Sequence, residues 1–444
     1  MARHYNFGDP ITCHAWNEQC DQIALSLNNN FVNIYAYTGR NWQLIDTLEE
    51  HELRVTAIDW CPKTNQLATC GEDRNAYVWT CFEEGWKPTL VLLRINRAAM
   101  CVKWSPNGNK FAVGSSAKLV AVCHFDEEND WWVSKHIKKS IKSTVTCIDW
   151  HPDNVLLAVG STDFKTRIYS AILPELDKNY VPSLWGNAEK FGSLLAEFTN
   201  EYSGWVLGVS FSSTGNKLAW CSHDSTISLI DISSNPAISP FQTSSQITNY
   251  KTTSNNILND YDTLLNNTSN LSPTQIATLS NSLITSGSGL MIVEKTPHLP
   301  FKSLQWVNEN TIILAGYDCC PMIYSQQNSN KSLTFGGKLD KASYDNDKIS
   351  EKLSSNVSAM SKFQSMDKHA TSAKIETIVH TLHQNTINEI KLVVGGKANA
   401  EVFSTVGIDG LMVMWDVSLI YENQEDGKLN TLVLNGLINQ LQVT

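Results

Sequence analysis

A basic segment stands out in an otherwise acidic chain. The stretch NDWWVSKHIKKSIKSTV, from Asn129 to Val145, holds five basic side chains within eight residues. These residues are Lys135, His136, Lys138, Lys139 and Lys142. Because the chain carries a formal net charge of −10, the segment creates a local field of opposite sign, which suits recognition of an acidic partner. The same charges could also cover an ordinary solvated loop, and the residues alone leave both interpretations open.

No sequence motif for catalysis accompanies this segment. The chain lacks a GxxxxGK[ST] phosphate loop, a GxSxG nucleophile turn, an HExxH zinc helix and a glycine-rich dinucleotide turn. The eleven histidines show no spacing typical of metal ligands, and the closest pair, His380 and His383, is interpreted as part of a polar loop. We therefore expect no catalytic residue, no metal, no cofactor and no enzymatic activity.

An amphipathic stripe marks a second candidate binding segment, from Lys348 to His369. Its apolar residues recur at spacings of three and four, which predicts a helix over residues 348–369. The stripe consists of Ile349, Leu353, Val357, Met360, Phe363 and Met366. Such a helix could lie on the protein with its stripe buried, or it could be displayed so that Met360, Phe363 and Met366 enter a partner's apolar groove. Periodicity does not choose between these arrangements.

The composition limits the kinds of partner. A net charge of −10 and a pI near 5.6 argue against a general nucleic-acid binder, because such proteins present a basic surface. No run of 18 apolar residues could span a bilayer, and the first residues, MARHYNFGDP, lack the apolar core of a signal peptide. These features predict a soluble intracellular protein that neither binds nucleic acid nor inserts into a membrane.

A repeat positions both candidate segments. Four units, such as VTAIDWCPKTNQLATCGEDRNAYVWT, carry tryptophans separated by 44, 44 and 46 residues, namely Trp16, Trp60, Trp104 and Trp150. Three more units begin at Val206, Leu304 and Ile387. Each unit is predicted to contain three short strands, and the less regular segment between units supplies a fourth. Seven units predict an all-β, seven-bladed β-propeller, with residues 1–444 forming a single domain.

A turn aspartate recurs at a nearly fixed position in the units. It falls 12 or 13 residues after the aromatic residue in four units, and the last unit has an equivalent; these residues are Asp73, Asp163, Asp224, Asp318 and Asp409. The units resemble WD repeats, and the last one contains the dipeptide itself, Trp415 and Asp416. The resemblance implies that a histidine, a threonine, the turn aspartate and a tryptophan are hydrogen-bonded inside a blade. In the second unit these structural residues are His51, Thr69, Asp73 and Trp79.

Three insertions interrupt the repeat. Residues 171–198 form an arm with enough apolar residues to pack on the propeller. Residues 233–286 are rich in Ser, Thr and Asn, which predicts a disordered insertion, and LITSGSGLMIVEK is expected to return as the outer strand of blade five. Residues 326–386 contain the predicted helix. Because no regular fourth strand follows the last unit, we expect residues 3–7 to close the ring as the outer strand of blade seven.

Longer strings carry a more specific resemblance. The segments WKPTLVLLRINRAAMCVKWSPN, ENDWWVSKHIKKSIKSTV, GWVLGVSFSSTGNKLAWCSHDSTISL and SKFQSMDKHATS resemble the family of WD-repeat subunits of the actin-related protein 2/3 complex. The likeness covers nearly the whole chain apart from residues 233–286, the diverged stretch 345–357 and the end of the chain. These strings are far more specific than the general propeller pattern.

This resemblance implies a non-enzymatic scaffold subunit that is cytoplasmic and associated with the actin cytoskeleton. It would support the nucleation of branched actin filaments, beside actin-related proteins and other small subunits, and would help to receive acidic activating segments. The resemblance favours display of the helix toward actin or an actin-like partner, through the matching residues Lys362, Phe363, Gln364, Met366, Asp367 and Lys368. The alternative is another WD-repeat interaction scaffold, such as a ubiquitin-ligase substrate receptor.

Overall fold

The chain folds into a ring of seven antiparallel sheets. The computed structural model describes residues 2–178, 180–188, 190–199, 202, 204–233, 249–250, 291–326, 332–340 and 381–417. The first strands of neighbouring sheets contact each other around the ring, including the contact between the seventh and first sheets. The predicted seven-bladed β-propeller is confirmed. Within the described ranges, no helix is long and apolar enough to cross a membrane.

Each blade runs from an inner first strand to an outer fourth strand. The chain begins with a strand of the last blade, β1 (Arg3–Asn6). Blades one and two contain β2 (Cys13–Trp16), β3 (Gln22–Ser26), β4 (Val32–Tyr37), β5 (Trp42–Leu48), β6 (Val55–Trp60), β7 (Leu67–Gly71), β8 (Ala76–Phe82) and β9 (Gly85–Val91). Blades three and four contain β10 (Ala99–Trp104), β11 (Lys110–Ser115), β12 (Leu119–Asp126), β13 (Trp131–Ile137), β14 (Val145–Trp150), β15 (Leu156–Ser161), β16 (Thr166–Ser170) and β17 (Leu194–Phe198).

The remaining blades follow the same order. Blade five contains β18 (Val206–Phe211), β19 (Lys217–Ser222) and β20 (Thr226–Asp231). Next in the chain come β21 (Asn249–Tyr250), which pairs in parallel with β17, and β22 (Met291–Lys295), which completes blade five. Blades six and seven contain β23 (Phe301–Asn308), β24 (Thr311–Gly316), β25 (Met322–Gln326), β26 (Leu333–Lys338), β27 (Ile387–Gly396), β28 (Asn399–Gly407) and β29 (Leu411–Asp416).

Burial explains the difference between inner and outer strands. The second strand of a blade is covered by the blades on both sides, and every position of β7, β11, β15, β19 and β24 is buried. Continuous runs such as KFAVGS and LLAVGS suit these strands, because a strand buried on both faces needs no polar alternation. In the outer strands β5 and β9 the middle residues are exposed. The hydrophobic core therefore lies between neighbouring blades.

Most of the repeated tryptophans tie neighbouring blades together. The indole N–H of Trp150 donates to the carbonyl oxygen of Lys103 in the preceding blade at 3.0 Å. Trp306 donates in the same way to Ser210 at 2.9 Å, and Trp104 also donates to the blade before it. Trp60 is an exception, because it donates to Asn65 of its own blade at 2.8 Å. At the other repeat positions the tryptophan spacing reflects hydrogen bonds across blade interfaces.

A β-bulge recurs in the first strand of six blades. The pairing register with the second strand shifts by one residue at Thr56, Met100, Thr146, Leu207, Lys302 and Asn388. A bulge re-aims its side chain, and several of these side chains reach the next blade. Thr146 Oγ1 donates to the carbonyl oxygen of Val206 at 2.5 Å, and Asn388 Nδ2 donates to that of Ile11 at 2.7 Å. The bulges thus join first strands around the central channel.

The amino-terminal strand closes the ring. β1 pairs antiparallel with β29, from Arg3 opposite Met414 to Asn6 opposite Leu411. It therefore supplies the outer strand of blade seven, which confirms the prediction for residues 3–7. This pairing covers the edge of β29, which would otherwise expose unpaired backbone groups.

The predicted structural set of blade two is assembled inside the blade. His51 Nδ1 lies 2.8 Å from Asp73 Oδ2, and His51 Nε2 lies 2.8 Å from Thr69 Oγ1. Trp79 Nε1 donates to the same threonine oxygen at 3.0 Å. Burial alone would raise the pKa of Asp73, but the hydrogen bond and charge of His51 outweigh it and lower that pKa. The four residues form one buried polar network.

Blade seven contains the same arrangement. His383 Nδ1 lies 3.0 Å from Asp409 Oδ2, and its Nε2 lies 2.8 Å from Thr405 Oγ1, to which Trp415 donates at 2.8 Å. His383 lies in the loop before β27, where a polar loop residue was predicted, but it is fully buried and belongs to this network. Among the other turn aspartates, Asp224 accepts from Thr226 and Asp318 accepts from the backbone N–H of Leu299. Asp163 braces a loop of the candidate site, and Asp416 ends β29.

The insertions join the propeller at its outer strands. The arm after β16 packs against blades three, four and five. Asp177 binds Lys110 of blade three and Asn154 of blade four. Trp185 Nε1 donates to the carbonyl oxygen of Gly215 in blade five at 2.7 Å. The packing of the arm and the return of the chain as β22 are confirmed. Of residues 234–290, the structure describes only β21. The expected insertion 326–386 includes β26, the outer strand of blade six, whereas the predicted helix 348–369 lies outside the described residues.

Candidate partner-binding site

The predicted basic segment spans the end of β13 and the loop to β14. Strand direction alternates within each blade, so this loop lies at the same end of the propeller as the turns between second and third strands. Lys138, Lys139 and Lys142 are exposed in the loop. Lys135 and His136 are half-buried on β13. The structure therefore divides the five residues between a loop and a strand.

The two strand residues already have partners. Lys135 Nζ lies 3.6 Å from Glu175 Oε2 in the arm, and His136 Nε2 lies 2.7 Å from the carbonyl oxygen of Leu93. Burial lowers the pKa of His136 below its ordinary value, which keeps the ring neutral at pH 7. Only the three loop lysines remain as exposed charges from the predicted segment.

Lys138 borders an open depression formed by blade three and the loops before and after that blade. The depression has a volume of about 420 Å³, and its other lining residues are Arg94, Ile95, Asn96, Ala117 and Leu119. Two of these six side chains are cationic and none is acidic. The apolar side chains among them allow an occupant to bury hydrocarbon as well as to meet positive charge. The depression is thus suited to an acidic segment that also carries apolar residues.

Three exposed basic residues at this end of the propeller were not predicted. Arg94 and Arg97 lie in the loop between β9 and β10, and Lys118 lies in the turn between β11 and β12. The guanidinium group of Arg94 donates to the backbone oxygen of Ser134, which fixes it beside blade three. The pair of arginines in LRINRA could have indicated this extension. We define the basic face as Arg94, Arg97, Lys118, Lys138, Lys139 and Lys142.

Backbone hydrogen bonds hold the lysine loop in place. The backbone N–H of Lys142 donates to Asp163 Oδ2 at 2.9 Å, and the Tyr169 hydroxyl donates to the carbonyl oxygen of Lys139 at 2.7 Å. Asp163 is also paired with Arg167 at 2.9 Å. The carboxylate that accepts from the loop backbone is therefore already paired with an arginine, and the lysine side chains stay free to attract an anionic partner.

Charged groups in the central channel pair with each other across the ring. The long hairpin of β27 and β28 carries Lys397 at its turn, and Lys397 Nζ lies 2.5 Å from Asp149 Oδ2 in blade four. Lys103 Nζ lies 2.8 Å from the other oxygen of Asp149. Burial alone would raise the pKa of Asp149, but the two ammonium groups hold it well below its usual range. Asp149 is therefore ionised at neutral pH and has no proton to donate.

A second channel network has the same character. Lys391 Nζ lies 3.2 Å from Asp59 Oδ1 and 3.4 Å from Glu389 Oε1, and His14 Nδ1 lies 3.0 Å from Glu389 Oε2. Against the effect of burial, Lys391 and His14 lower the pKa of Glu389 to about 2. In the part of the chain that the structure describes, no group of three or more His, Cys, Asp or Glu could hold a metal ion. The charged groups described in the channel are thus engaged in structural ion pairs with each other.

The predicted helix 348–369 lies outside the described residues, together with the predicted contact residues Met360, Lys362, Phe363, Gln364, Met366, Asp367 and Lys368.

Known proteins resemble this chain along most of its length. The family model "WD domain, G-beta repeat" matches residues 42–80 and 192–231, and the model "Anaphase-promoting complex subunit 4 WD40 domain" matches residues 102–178. "Actin-related protein 2/3 complex subunit 1A-B" of Xenopus laevis is 45% identical over 417 residues, which cover 94% of this chain and 96% of the relative. The chain belongs to the actin-related protein 2/3 complex subunit 1 family.

The family spans distant organisms at lower identity. The subunit 1 of Schizosaccharomyces pombe is 35% identical over 90% of this chain and 95% of the relative. Subunit 1A of Arabidopsis thaliana is 34% identical over 95% and 97%, respectively. The resemblance to actin-related protein 2/3 complex subunits is confirmed, and with the WD-repeat propeller it indicates a scaffold subunit.

Proposed function

We propose that this protein is the WD-repeat scaffold subunit of an actin-related protein 2/3 complex and supports nucleation of branched actin filaments. The observation that carries this proposal is the likeness along 94% of the chain to a relative named as a subunit of that complex. The partners are actin-related proteins and other subunits of the complex, and the protein works in the cytoplasm at the actin cytoskeleton. The ion pairs that occupy the channel support a role without enzymatic activity.

Purification of the tagged full-length chain from its own cells tests this proposal. Mass spectrometry should find actin-related proteins and the other small subunits in fixed ratio with the chain. A cullin adaptor in place of these proteins would overturn the proposal in favour of a ubiquitin-ligase substrate receptor. Phosphate- and ester-release screens on the purified complex should show no activity that depends on this subunit.

The basic face is proposed to receive acidic activating segments. Its exposed cations and the apolar side chains of the adjoining depression support this role. In the purified complex, Lys138→Glu with Lys139→Glu should weaken binding of an acidic activator segment about tenfold at low salt, with a smaller effect as salt screens the charges. The matched control is Lys63→Glu with Lys178→Glu, which reverses two exposed lysines at the opposite end of the propeller. Equal affinities at low salt would reject the assignment.

The predicted helix 348–369 is proposed to contact actin or an actin-related protein. Phe363→Ala with Met366→Ala should cost about 2 kcal/mol or more of binding free energy if both side chains are central anchors. Branch formation by the purified complex, counted by fluorescence microscopy, should fall correspondingly. Ser365→Ala, on a polar position of the same segment, is the matched control. Deleting residues 345–369 should leave the propeller folded, and unchanged branching by that complex would contradict the proposal.

A further inference from the structure

An aromatic groove lies at the seam where blade seven meets blade one. Tyr5 of β1 and Phe7, just after β1, lie on one side. Blade one contributes Tyr35, Tyr37 and Trp42. Their rings contact one another with centroid distances between 4.9 and 6.3 Å, and each ring remains half-buried. We define the seam groove by the residues that line its volume of about 640 Å³, namely His4, Tyr5, Asn6, Phe7, Tyr35, Asn41 and Trp42.

One hydrogen-bond donor of the seam groove has no acceptor. Nε1 of Trp42 is shielded from solvent and makes no hydrogen bond within the described residues. Trp16, which packs edge to face on Trp42 at 5.4 Å, donates its own Nε1–H to Ser404 at 2.9 Å. Buried donors are nearly always paired in folded proteins. The unpaired indole therefore marks the seam as a place where the packing of the described residues is incomplete.

The chain itself continues beside the groove. β29 pairs with β1 and ends at Asp416, at the same end of the propeller as the β4–β5 turn that carries Arg40 and Asn41. Residues 418–444 follow, and they have only to pass β1 to reach the groove. Such a tethered segment acts at an effective concentration in the millimolar range, so that even weak docking is highly populated.

The sequence of residues 418–444 complements the groove. In KLNTLVLNGLINQLQV, Leu434, Leu437, Ile438 and Leu441 have the spacing of one helical face. The preceding residues, YENQEDGK, carry three acids and one lysine, whereas Arg3 and Arg40 are exposed at the groove. The apolar face of the segment therefore matches the aromatic lining of the groove, and its acidic residues match the two arginines.

We propose that residues 428–444 of this chain dock in the seam groove. Their apolar face covers the half-buried rings of Tyr5 and Trp42. The acidic residues before it lie near Arg3 and Arg40. The docked segment covers the outer side of β1 and reinforces the closure of the ring, independently of which complex the propeller joins.

Hydrogen–deuterium exchange of the purified full-length chain tests this docking. Truncation after Val417 should accelerate exchange in β1 and β5 about tenfold, while β10 and β11 in blade three keep their rates. Leu437→Asp in the full-length chain should have the same effect, and Asn435→Asp, which adds the same charge on the polar side, should have none. A synthetic peptide of residues 428–444 added to the truncated chain should restore the slow exchange.

Three outcomes would overturn the proposal. Equal exchange rates of β1 and β5 in the full-length chain and in its Leu437→Asp variant would show that this segment does not cover the groove. This comparison is valid whether or not the truncated chain folds. Protection that increases with protein concentration would assign the groove to a second copy. A third result is protection of the groove only in the assembled complex, and equally with the full-length and the truncated chain. That result would assign the groove to another subunit. None of these results bears on membership of the complex.

Discussion

The buried carboxylate of Asp149 allows a quantitative test of the cross-channel ion pairs. Asp149→Asn keeps the shape of the side chain and removes its charge, so the ammonium groups of Lys103 and Lys397, at 2.8 and 2.5 Å, lose their shared counterion. Removing one member of a buried ion pair costs about 3–5 kcal/mol. The two lysine side chains are 26% and 23% exposed, and water at these positions reduces the loss. We therefore expect about 3 kcal/mol, the lower end of that range.

Equilibrium urea unfolding of the full-length chain measures this loss. The midpoint should fall with an unchanged slope. The triple change Lys103→Met, Asp149→Leu and Lys397→Met removes every charge together and should cost only about 1 kcal/mol, because no ion is left unpaired. The lowered pKa of Asp149 stabilises the fold at pH values above about 4, where the unfolded carboxyl is ionised. The difference between the native chain and Asp149→Asn should therefore shrink as the pH falls below that value.

Two results would refute this reasoning. A loss below about 1 kcal/mol for Asp149→Asn at neutral pH would mean that the lysines are well solvated without the carboxylate. A triple variant as unstable as the single one would mean that packing of the hairpin, and not charge, holds blade seven to blade four.

His383→Ala should lower the free energy of unfolding by about 3 kcal/mol in urea, since it leaves the Asp409 carboxylate buried without its imidazole; a change under about 1 kcal/mol would contradict the structural role. Deleting residues 2–7 removes β1 and exposes the edge of β29; light scattering should then show association, and a monomer with native stability would reject the role of this strand. Acidification should destabilise the fold through Glu389, whose pKa Lys391 helps to lower to about 2. Its stabilising contribution is complete above about pH 4.3 and is lost toward pH 2, so Glu389→Gln should flatten that part of the stability profile.

The propeller could be predicted because each unit carries its own local evidence. A residue such as Trp150 both ends an apolar strand and bonds the preceding blade, so its spacing reports the blade period. The closing strand β1 could be predicted because the seventh unit has no fourth strand of its own. The bulges could not be predicted, because a one-residue shift in register leaves the apolar pattern intact. The position of Lys397 across the channel could not be predicted either, because its ion pair is with Asp149 in blade four, far away in sequence.

The candidate site was only partly predictable. Lys138 and Lys142 could be found because they are close in sequence, but Arg94 joins them only because the loops before and after blade three lie side by side. Conversely, Lys135 belongs to the same run and yet faces Glu175. The structural role of His383 was missed because its acid, Asp409, lies 26 residues away, beyond two intervening strands. Local runs of sequence reveal charge, whereas the blade interfaces decide which charges are exposed.

The bulge residues that join the first strands have a practical consequence. Because hydrogen bonds such as those of Thr146 and Asn388 hold the inner ring together, the connections at the rim can lengthen without moving the channel. The long connections after β16 and β20 both leave at the rim. A fluorescent protein inserted between β20 and β22 would therefore sit outside the ring, and it would allow assembly to be followed in living cells with both ends of the chain unmodified.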